Sequence, residues 1–173
     1  MRLAGTGYFT NTAVDITGTE LTIFVVAKRI AMVAHASVIG AYSASSSGDY
    51  DNTQSFVGFY EGPSGTTLET DRASSTLSVA THPGNDVTYI AASVFNNTNN
   101  IVYLNGTAQT AVASTGTFDS TRLLIGARWV TSGLGNFYNG NVAEIIIFNR
   151  ALKTEERKSI ESYLGKKWGV KIS

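Results

Sequence analysis

Short apolar runs alternate with polar clusters along the whole chain. The runs are six to nine residues long, and Gly, Ser, Asn and Asp separate them. Runs of this length with turn residues between them are typical of antiparallel sandwiches and barrels. Two runs, residues 21–27 and 87–95, are apolar almost throughout, which predicts central strands covered on both faces. The pattern therefore predicts an all-β fold.

A β-hairpin is the strongest local signal in the chain. Residues 101–104 and 107–112 flank the dipeptide Asn105-Gly106. A type I′ turn needs positive φ at both central residues, and Asn-Gly meets that need. Two further runs predict strands: residues 122–127 and 142–148.

One segment, residues 154–168, has the features of a helix. Thr154 is a candidate N-cap, Gly169 is a candidate stop, and acidic and basic residues occupy the first and last turns as the helix dipole favours. Residues 150–173 carry a net charge of +4, which we interpret as a solvated face, with a docking surface for an acidic partner as the alternative. Four residues form the stripe expected to pack on the sandwich: Ile160, Tyr163, Leu164 and Trp168.

Composition narrows the function classes. At 173 residues the chain is predicted to form a single domain, residues 1–173. Lys plus Arg and Asp plus Glu balance at 13 each, so no overall charge attracts nucleic acid or an anionic membrane. The absence of Cys excludes disulfides, thiolate zinc sites and a cysteine nucleophile. The longest apolar run, residues 23–27, is too short for membrane insertion, and no secretion signal is recognisable.

Most catalytic signatures are missing. His35 and His82 are far apart and lie outside any metal-binding motif. Glu69 and Asp71 have the alternate spacing that glycosidases use on a strand facing a cleft. No third acid follows them, and the residues on either side do not indicate a buried strand. We therefore interpret the pair as a solvated loop and predict that the protein is not an enzyme, with polysaccharide hydrolysis by this pair as the alternative.

A second polar cluster occupies residues 49–52. Asp49 and Asp51 place hard oxygen donors two positions apart in a loop, and such donors can bind one Ca²⁺ ion. They are the candidate metal ligands, and calcium is the candidate cofactor. Tyr50 and Asn52 are candidate carbohydrate contacts, by ring stacking and by hydrogen bonding. The alternative is an ordinary turn, since turns collect Asp and Asn for local hydrogen bonds.

The loop over residues 128–139 is the second candidate site. Trp129 and Tyr138 supply aromatic faces, and Asn136 supplies an amide. Sugars present C–H groups that stack on rings and hydroxyls that need in-plane polar partners, so we predict these three residues as carbohydrate contacts. The alternative is that a Trp beside a strand end belongs to the core or its rim.

The last third of the chain resembles a known family. Its pattern comprises Tyr-Leu-Asn-Gly at 103–106, Leu-Ile-Gly-Ala-Arg at 124–128, the run 137–152, and the helix that ends in Trp-Gly-Val at 168–170. Together these resemble the concanavalin A-like lectin/glucanase superfamily in its laminin G-like bacterial and phage form. The resemblance implies a jelly-roll sandwich of two antiparallel sheets with one short C-terminal helix, and a binding or adhesion module more than an enzyme.

The resemblance and the missing export signal lead to a functional hypothesis. We expect a non-catalytic lectin-like module on a bacteriophage virion, as a capsid decoration or fibre-associated protein, that attaches to surface glycans. The expected partners are then a surface glycan or a virion protein, and a homo-oligomer on the particle is a further possibility. The alternatives are an excised domain of a larger extracellular protein and a purely structural interaction protein that binds no sugar.

Overall fold

A computed structural model describes residues 1–43, 47–50, 54–73, 75–131 and 133–173, and the side chains of residues 75–77 lie outside that description. The elements, in chain order, are β1 (Arg2–Ala4), β2 (Phe9–Asn11), β3 (Ile16–Gly18), β4 (Glu20–Arg29), β5 (Ser37–Tyr42), β6 (Phe56–Glu61), β7 (Thr67–Arg72), β8 (Ser75–Thr81), β9 (Thr88–Asn96), β10 (Asn99–Leu104), β11 (Thr107–Ala108), β12 (Val112–Ala113), β13 (Phe118–Ser120), β14 (Arg122–Ile125), β15 (Arg128–Val130), β16 (Gly133–Gly135), β17 (Asn139–Phe148) and α1 (Thr154–Trp168).

Two sheets contain most of the strands. One has seven strands, in the order β1-β17-β4-β9-β10-β11, with β12 also paired to β10. The other has six, in the order β2-β14-β5-β6-β7-β8. Two short ribbons pair β3 with β13 and β15 with β16. The described pairings are all antiparallel, which confirms the predicted sandwich of two antiparallel sheets.

The core lies between the two sheets. In β4, Ile23 and Val25 face this core, whereas Phe24 and Val26 belong to a second apolar cluster on the other side of the sheet. The neighbouring strand β9 alternates in the same way, so both predicted central strands are confirmed. Phe95 of β9 meets Phe118 edge-on with their ring centroids 5.2 Å apart, within the same core cluster.

The hairpin prediction is confirmed at the turn and modified in its return strand. Asn105 and Gly106 have φ values of 49° and 88°, as a type I′ turn requires. The return strand pairs with the end of β10 only over β11, and the chain then leaves the sheet before β12 pairs with the start of β10. The interruption coincides with a hydrogen bond from the Ser78 hydroxyl of β8 to the carbonyl of Thr110.

Helix α1 covers the outer face of the seven-stranded sheet. Leu164 is fully buried in the cluster that contains Phe24 and Val26. The helix has the predicted bounds and ends at Gly169 in the left-handed conformation, but the N-cap is Lys153, whose N–H donates to the Glu156 carboxylate. The described residues contain no helix that combines the length and apolar character needed to cross a bilayer.

The packing face of α1 differs from the predicted stripe. Tyr163 is 49% exposed and Trp168 is 38% exposed, whereas Arg157 and Glu161 are buried as an ion pair. The Arg157 guanidinium carbon lies 3.7 Å from the centroid of the Tyr103 ring, so the basic side chain packs like an apolar one. The helix is therefore rotated from the predicted orientation, because this stacked ion pair occupies the sheet surface.

Candidate functional site

Strand β7 gives the six-stranded sheet a polar outer face. Leu68 is buried in the core, and the Arg72 guanidinium carbon lies 3.7 Å from the core ring of Phe118. Since side chains alternate along a strand, Glu69 and Asp71 lie on the opposite, outer face. The prediction of a solvated loop at this pair was wrong, because the segment is a paired strand with Glu69 only 9% exposed. Strands β5 to β8 form this face, and the sequence analysis predicted none of them.

Asp49 anchors a loop on this outer face. An added Cβ at Gly40 of β5 would meet its Oδ2 atom at 3.4 Å, so the glycine leaves room for the carboxylate above the sheet. Arg128 of β15 donates to Asp49 from Nη2, at 2.9 Å, and from Nε, at 3.3 Å. The Trp129 N–H donates to Asp49 Oδ2 at 3.0 Å, and the Asp49 N–H donates back to the Trp129 carbonyl at 2.8 Å. Loop and ribbon are thus locked together.

The Asp49–Arg128 pair is buried. Both residues are inaccessible or nearly so, with 0% and 6% of their surfaces exposed. Burial raises the pKa of Asp49 to about 6, because lost hydration outweighs the lowering by Arg128 and the Trp129 N–H. The carboxylate is still ionised at neutral pH, where it balances the charge of Arg128.

The calcium prediction meets this geometry only in part. The oxygens of Asp49 already accept hydrogen bonds from Arg128 and the Trp129 N–H. Asp49 was predicted as a metal ligand, but in the structure it is a structural anchor. Asp51 and Asn52 lie outside the described residues. Over the described ranges, no three His, Asp or Glu residues are grouped closely enough to hold a metal ion. A calcium site that uses Asp51 stays a prediction.

Aromatic rings surround the anchored pair. Trp129 stacks on Tyr42, with ring centroids 5.2 Å apart and planes 4° from parallel. The Arg128 guanidinium carbon lies 5.0 Å from the ring centroid of Tyr50 and 5.3 Å from that of Tyr60. Ring stacking and cation–π contacts at these distances hold both the rings and the guanidinium in place. The outer face thus has a preorganised aromatic lining.

An open pocket of about 410 Å³ lies beside these rings. A volume in this range accommodates a small-molecule or sugar ligand. Three of its residues are Arg128 and the two tyrosines on which its guanidinium stacks, and the other four come from the sheet, the loop before β5, and the ribbon and its flank. The lining residues are His35, Tyr50, Tyr60, Asp71, Arg128, Val130 and Asn136.

Two residues that line the pocket and one beside it have strained backbone conformations. The lining residues His35 and Asn136 have φ values of 61° and 48°, in the left-handed region that non-glycine residues seldom adopt. Phe59, at 55°, forms the bulge of β6 directly before Tyr60. Such strain persists where the surrounding structure imposes it, and functional sites are a common location.

The structure brings together some predicted sugar contacts and separates others. Tyr50 and Asn136 line the pocket, and Trp129 lies between two lining residues of β15. Tyr138 is fully buried in the core, so its ring is unavailable to a ligand at the surface and its prediction as a carbohydrate contact is corrected. Burial also raises the pKa of Tyr138, and the nearby Tyr89 raises it further.

Sequence reasoning missed Arg128 and Tyr60 as site residues. Arg128 precedes Trp129 at a strand end, and an oppositely charged loop residue, Asp49, was already a candidate. That pairing was the available signal. Tyr60 gave none, because its outward direction depends on the bulge at Phe59.

A buried polar cluster supports the loop that carries His35. The His35 N–H donates to the Glu61 carbonyl, and Arg29 donates to the Glu61 carboxylate at 3.2 Å. Burial raises the pKa of Glu61. Burial and the nearby Arg29 charge lower the pKa of His82 to about 4, so His82 stays neutral at physiological pH. Neither Glu61 nor His82 lines the pocket, and we assign the cluster a supporting role.

The fold is that of jelly-roll β-sandwich domains. No family model matches the chain, and no curated protein matches it. Among solved structures it is similar to the IT-sialidase CBM40 of Ruminococcus gnavus bound to α2,3-sialyllactose, with a TM-score of 0.71 and 13% identity over 93% of this chain and 95% of that one. It is also similar to the native heptameric SAP-like pentraxin of Limulus polyphemus, with a TM-score of 0.70 and 15% identity over 92% and 80%.

Two enzymes contain a similar domain as one part. Domain 4 of the GH43 arabinanase AbnA of Geobacillus stearothermophilus, in complex with arabinotriose, has a TM-score of 0.64 and 12% identity over 92% of this chain and 75% of that one. The NanB sialidase of Streptococcus pneumoniae has a TM-score of 0.68 at 14% identity, and the chain spans only 27% of it. At such identities the likenesses establish the fold, and arguments about function depend on the site.

Proposed function

We propose that the protein is a non-catalytic glycan-binding module whose site is the pocket on the outer face of the six-stranded sheet. The observation that carries the proposal is the juxtaposition of two tyrosine rings, Tyr50 and Tyr60, with polar groups in one preorganised pocket. A sugar ring stacks its C–H face on such rings, and its hydroxyls bond to amide and carboxylate groups such as those of Asn136 and Asp71. Two of the similar structures contain oligosaccharides, which supports the same proposal.

The carboxylates favour binding over hydrolysis. Glycoside hydrolysis uses two carboxyl groups that flank the scissile bond. Asp71 is the one carboxylate among the described lining residues. Asp49 is held by Arg128, and Glu69 accepts a bond from the Thr67 hydroxyl. This arrangement supports a site without catalysis.

A glycan array followed by isothermal titration calorimetry tests the proposal. The full chain should bind at least one glycan, and Tyr50→Ala should weaken binding at least tenfold, since loss of one stacking partner costs about 1.4 kcal/mol or more. Tyr163→Ala is the matched control. Tyr163 is an exposed tyrosine of α1, and this helix packs on the seven-stranded sheet, away from the pocket. Equal losses in both variants, or no binding at millimolar sugar, would contradict the proposal.

The biological setting is a separate proposal. We infer display on a bacteriophage virion from the resemblance of residues 100–170 to the bacterial and phage form of the lectin-like superfamily. The exposed basic side chains of α1 offer a surface for attachment to a particle. Mass spectrometry of purified particles from the source should detect the chain, and its absence from particles would favour the extracellular alternative.

A further inference from the structure

We propose that the pocket selects neutral glycans and rejects acidic ones, such as those that end in a sialic or uronic acid. The inference rests on the proposed function and adds the charge class of the ligand. It follows from the balance of fixed charges at the pocket.

Arg128 is the single Lys or Arg among the described residues that line the pocket. Two of its nitrogen atoms already donate to Asp49, and both partners are buried. A guanidinium bound in this way is neutralised and has its fork occupied, so it offers little to a ligand carboxylate, which would need a comparable pair of donors. The eight positions outside the described residues hold no Lys, Arg or His, so they add no cation.

Acidic groups exceed basic groups around the pocket. Asp71 contributes a negative formal charge to the lining, after Arg128 and Asp49 have cancelled. An anionic sugar would lose hydration beside a like charge. Repulsion between unit charges 4 Å apart is about 1 kcal/mol in water and about 4 kcal/mol near a protein surface.

Other cations near this face are committed elsewhere. The Arg122 guanidinium lies 5.8 Å from the centroid of Tyr42, and Tyr42 does not line the pocket. Arg29 is paired with Glu61, and Arg72 packs on core rings. Among the described residues the pocket thus lacks a Lys or Arg free to meet a carboxylate, while its tyrosines and Asn136 suit uncharged rings and hydroxyls.

The test is an array that prints each neutral core glycan beside its sialylated and uronic acid forms, followed by calorimetry of matched pairs. The full chain should bind a neutral member at least tenfold more tightly than its acidic counterpart. Asp71→Asn should reduce the ratio of the two affinities, neutral over acidic, about tenfold, which corresponds to about 1.4 kcal/mol. Glu155→Gln removes the same charge in the first turn of α1, on the opposite side of the sandwich, and should leave that ratio unchanged.

The outcomes separate this inference from the proposed function. An acidic glycan that binds as tightly as its neutral core, with loss of binding in Tyr50→Ala, would overturn the charge preference and keep the glycan-binding site. An affinity ratio unaffected by Asp71→Asn would show that pocket charge is not its cause and would also overturn the inference. Absence of binding by every array member would remove the proposed function, and the charge preference with it.

Discussion

Asp49 and Arg128 lie 79 positions apart in the chain and form a buried ion pair at 2.9 Å above the central strands of the six-stranded sheet. The pair joins a loop that follows β5 to the ribbon of β15 and β16, and both segments contribute residues to the pocket. Its integrity therefore governs the shape of the proposed binding site.

Removal of Arg128 should be strongly destabilising. Arg128→Met leaves the Asp49 carboxylate buried without its partner, and the expected loss is about 3 kcal/mol in the free energy of unfolding at pH 7. Urea denaturation measures it. Arg122→Met is the matched control, since that half-buried guanidinium stacks on Tyr42 and forms no ion pair within the described part of the chain, and it should cost about 1 kcal/mol or less. Equal losses in the two variants would show that the buried pair has no special weight.

The pH dependence of stability tests the burial of Asp49. Its pKa is about 6 in the folded protein against 3.8 in an unfolded chain, so the folded state binds a proton that the unfolded state does not between these values. This contribution to stability increases as the pH falls from about 6 toward 4. Asp49→Asn lacks the titrating group. The free energy of unfolding of the wild type, minus that of the variant, should therefore rise by on the order of 3 kcal/mol from pH 7 to pH 4.

Chemical denaturation of both proteins at several pH values supplies that difference. The shifted pKa values of Glu61, Glu161 and Glu156 are common to both proteins and cancel in the subtraction. A difference that falls as the pH is lowered would mean that the ion pair with Arg128 outweighs burial.

Two glycines separate backbone strain from steric crowding. Gly18 has a φ of 101° with nothing within 4 Å of an added Cβ, so Gly18→Ala should cost about 1 kcal/mol from strain alone. Gly106 has a φ of 88°, and an added Cβ would lie 2.7 Å from Ile172 and 2.9 Å from the Ser173 carbonyl oxygen. Gly106→Ala should cost more and release the C-terminal residues from the hairpin. Thermal melts rank the two variants, and the reverse order would contradict this packing.

The orientation of α1 is open to a simple comparison. Leu164→Ala should cost about 2 to 5 kcal/mol, because Leu164 is fully buried against the seven-stranded sheet. Tyr163→Ala should change stability by about 0.5 kcal/mol or less, since its ring is largely exposed. Guanidinium chloride denaturation of both variants gives the comparison. A larger loss for Tyr163 would restore the stripe expected from the sequence.

The sequence could predict the elements whose signals are local. The Asn105-Gly106 turn, the bounds of α1 and the apolar strands β4 and β9 all follow from propensity and periodicity within a short window. Strand β7 was not predicted, because polar residues such as Thr70 and Arg72 are buried in it, and a loop and ribbon distant in the chain cover the outer face of its sheet. A period of two with apolar side chains on one face is absent there.

The site was only partly predictable for the same reason. Tyr50, Trp129 and Asn136 could be nominated by residue type, whereas their assembly depends on contacts between residues far apart in the chain. Tyr138 illustrates the limit: it follows Phe137 in the sequence and differs from it by being fully buried, because the chain enters β17 at that point. Residue type alone does not show which of two adjacent rings faces solvent.

Because α1 shields the outer face of the seven-stranded sheet, the proposed glycan site lies on the sheet surface that points away from the helix. Copies fixed side by side through their helices would all direct their pockets outward. Weak individual sites arrayed in this way gain avidity of about 10² to 10⁴ when several engage one polymer, without any added contact in the pocket. The avidity of such a particle for its target would then depend more on how the copies are attached than on the affinity of any one site.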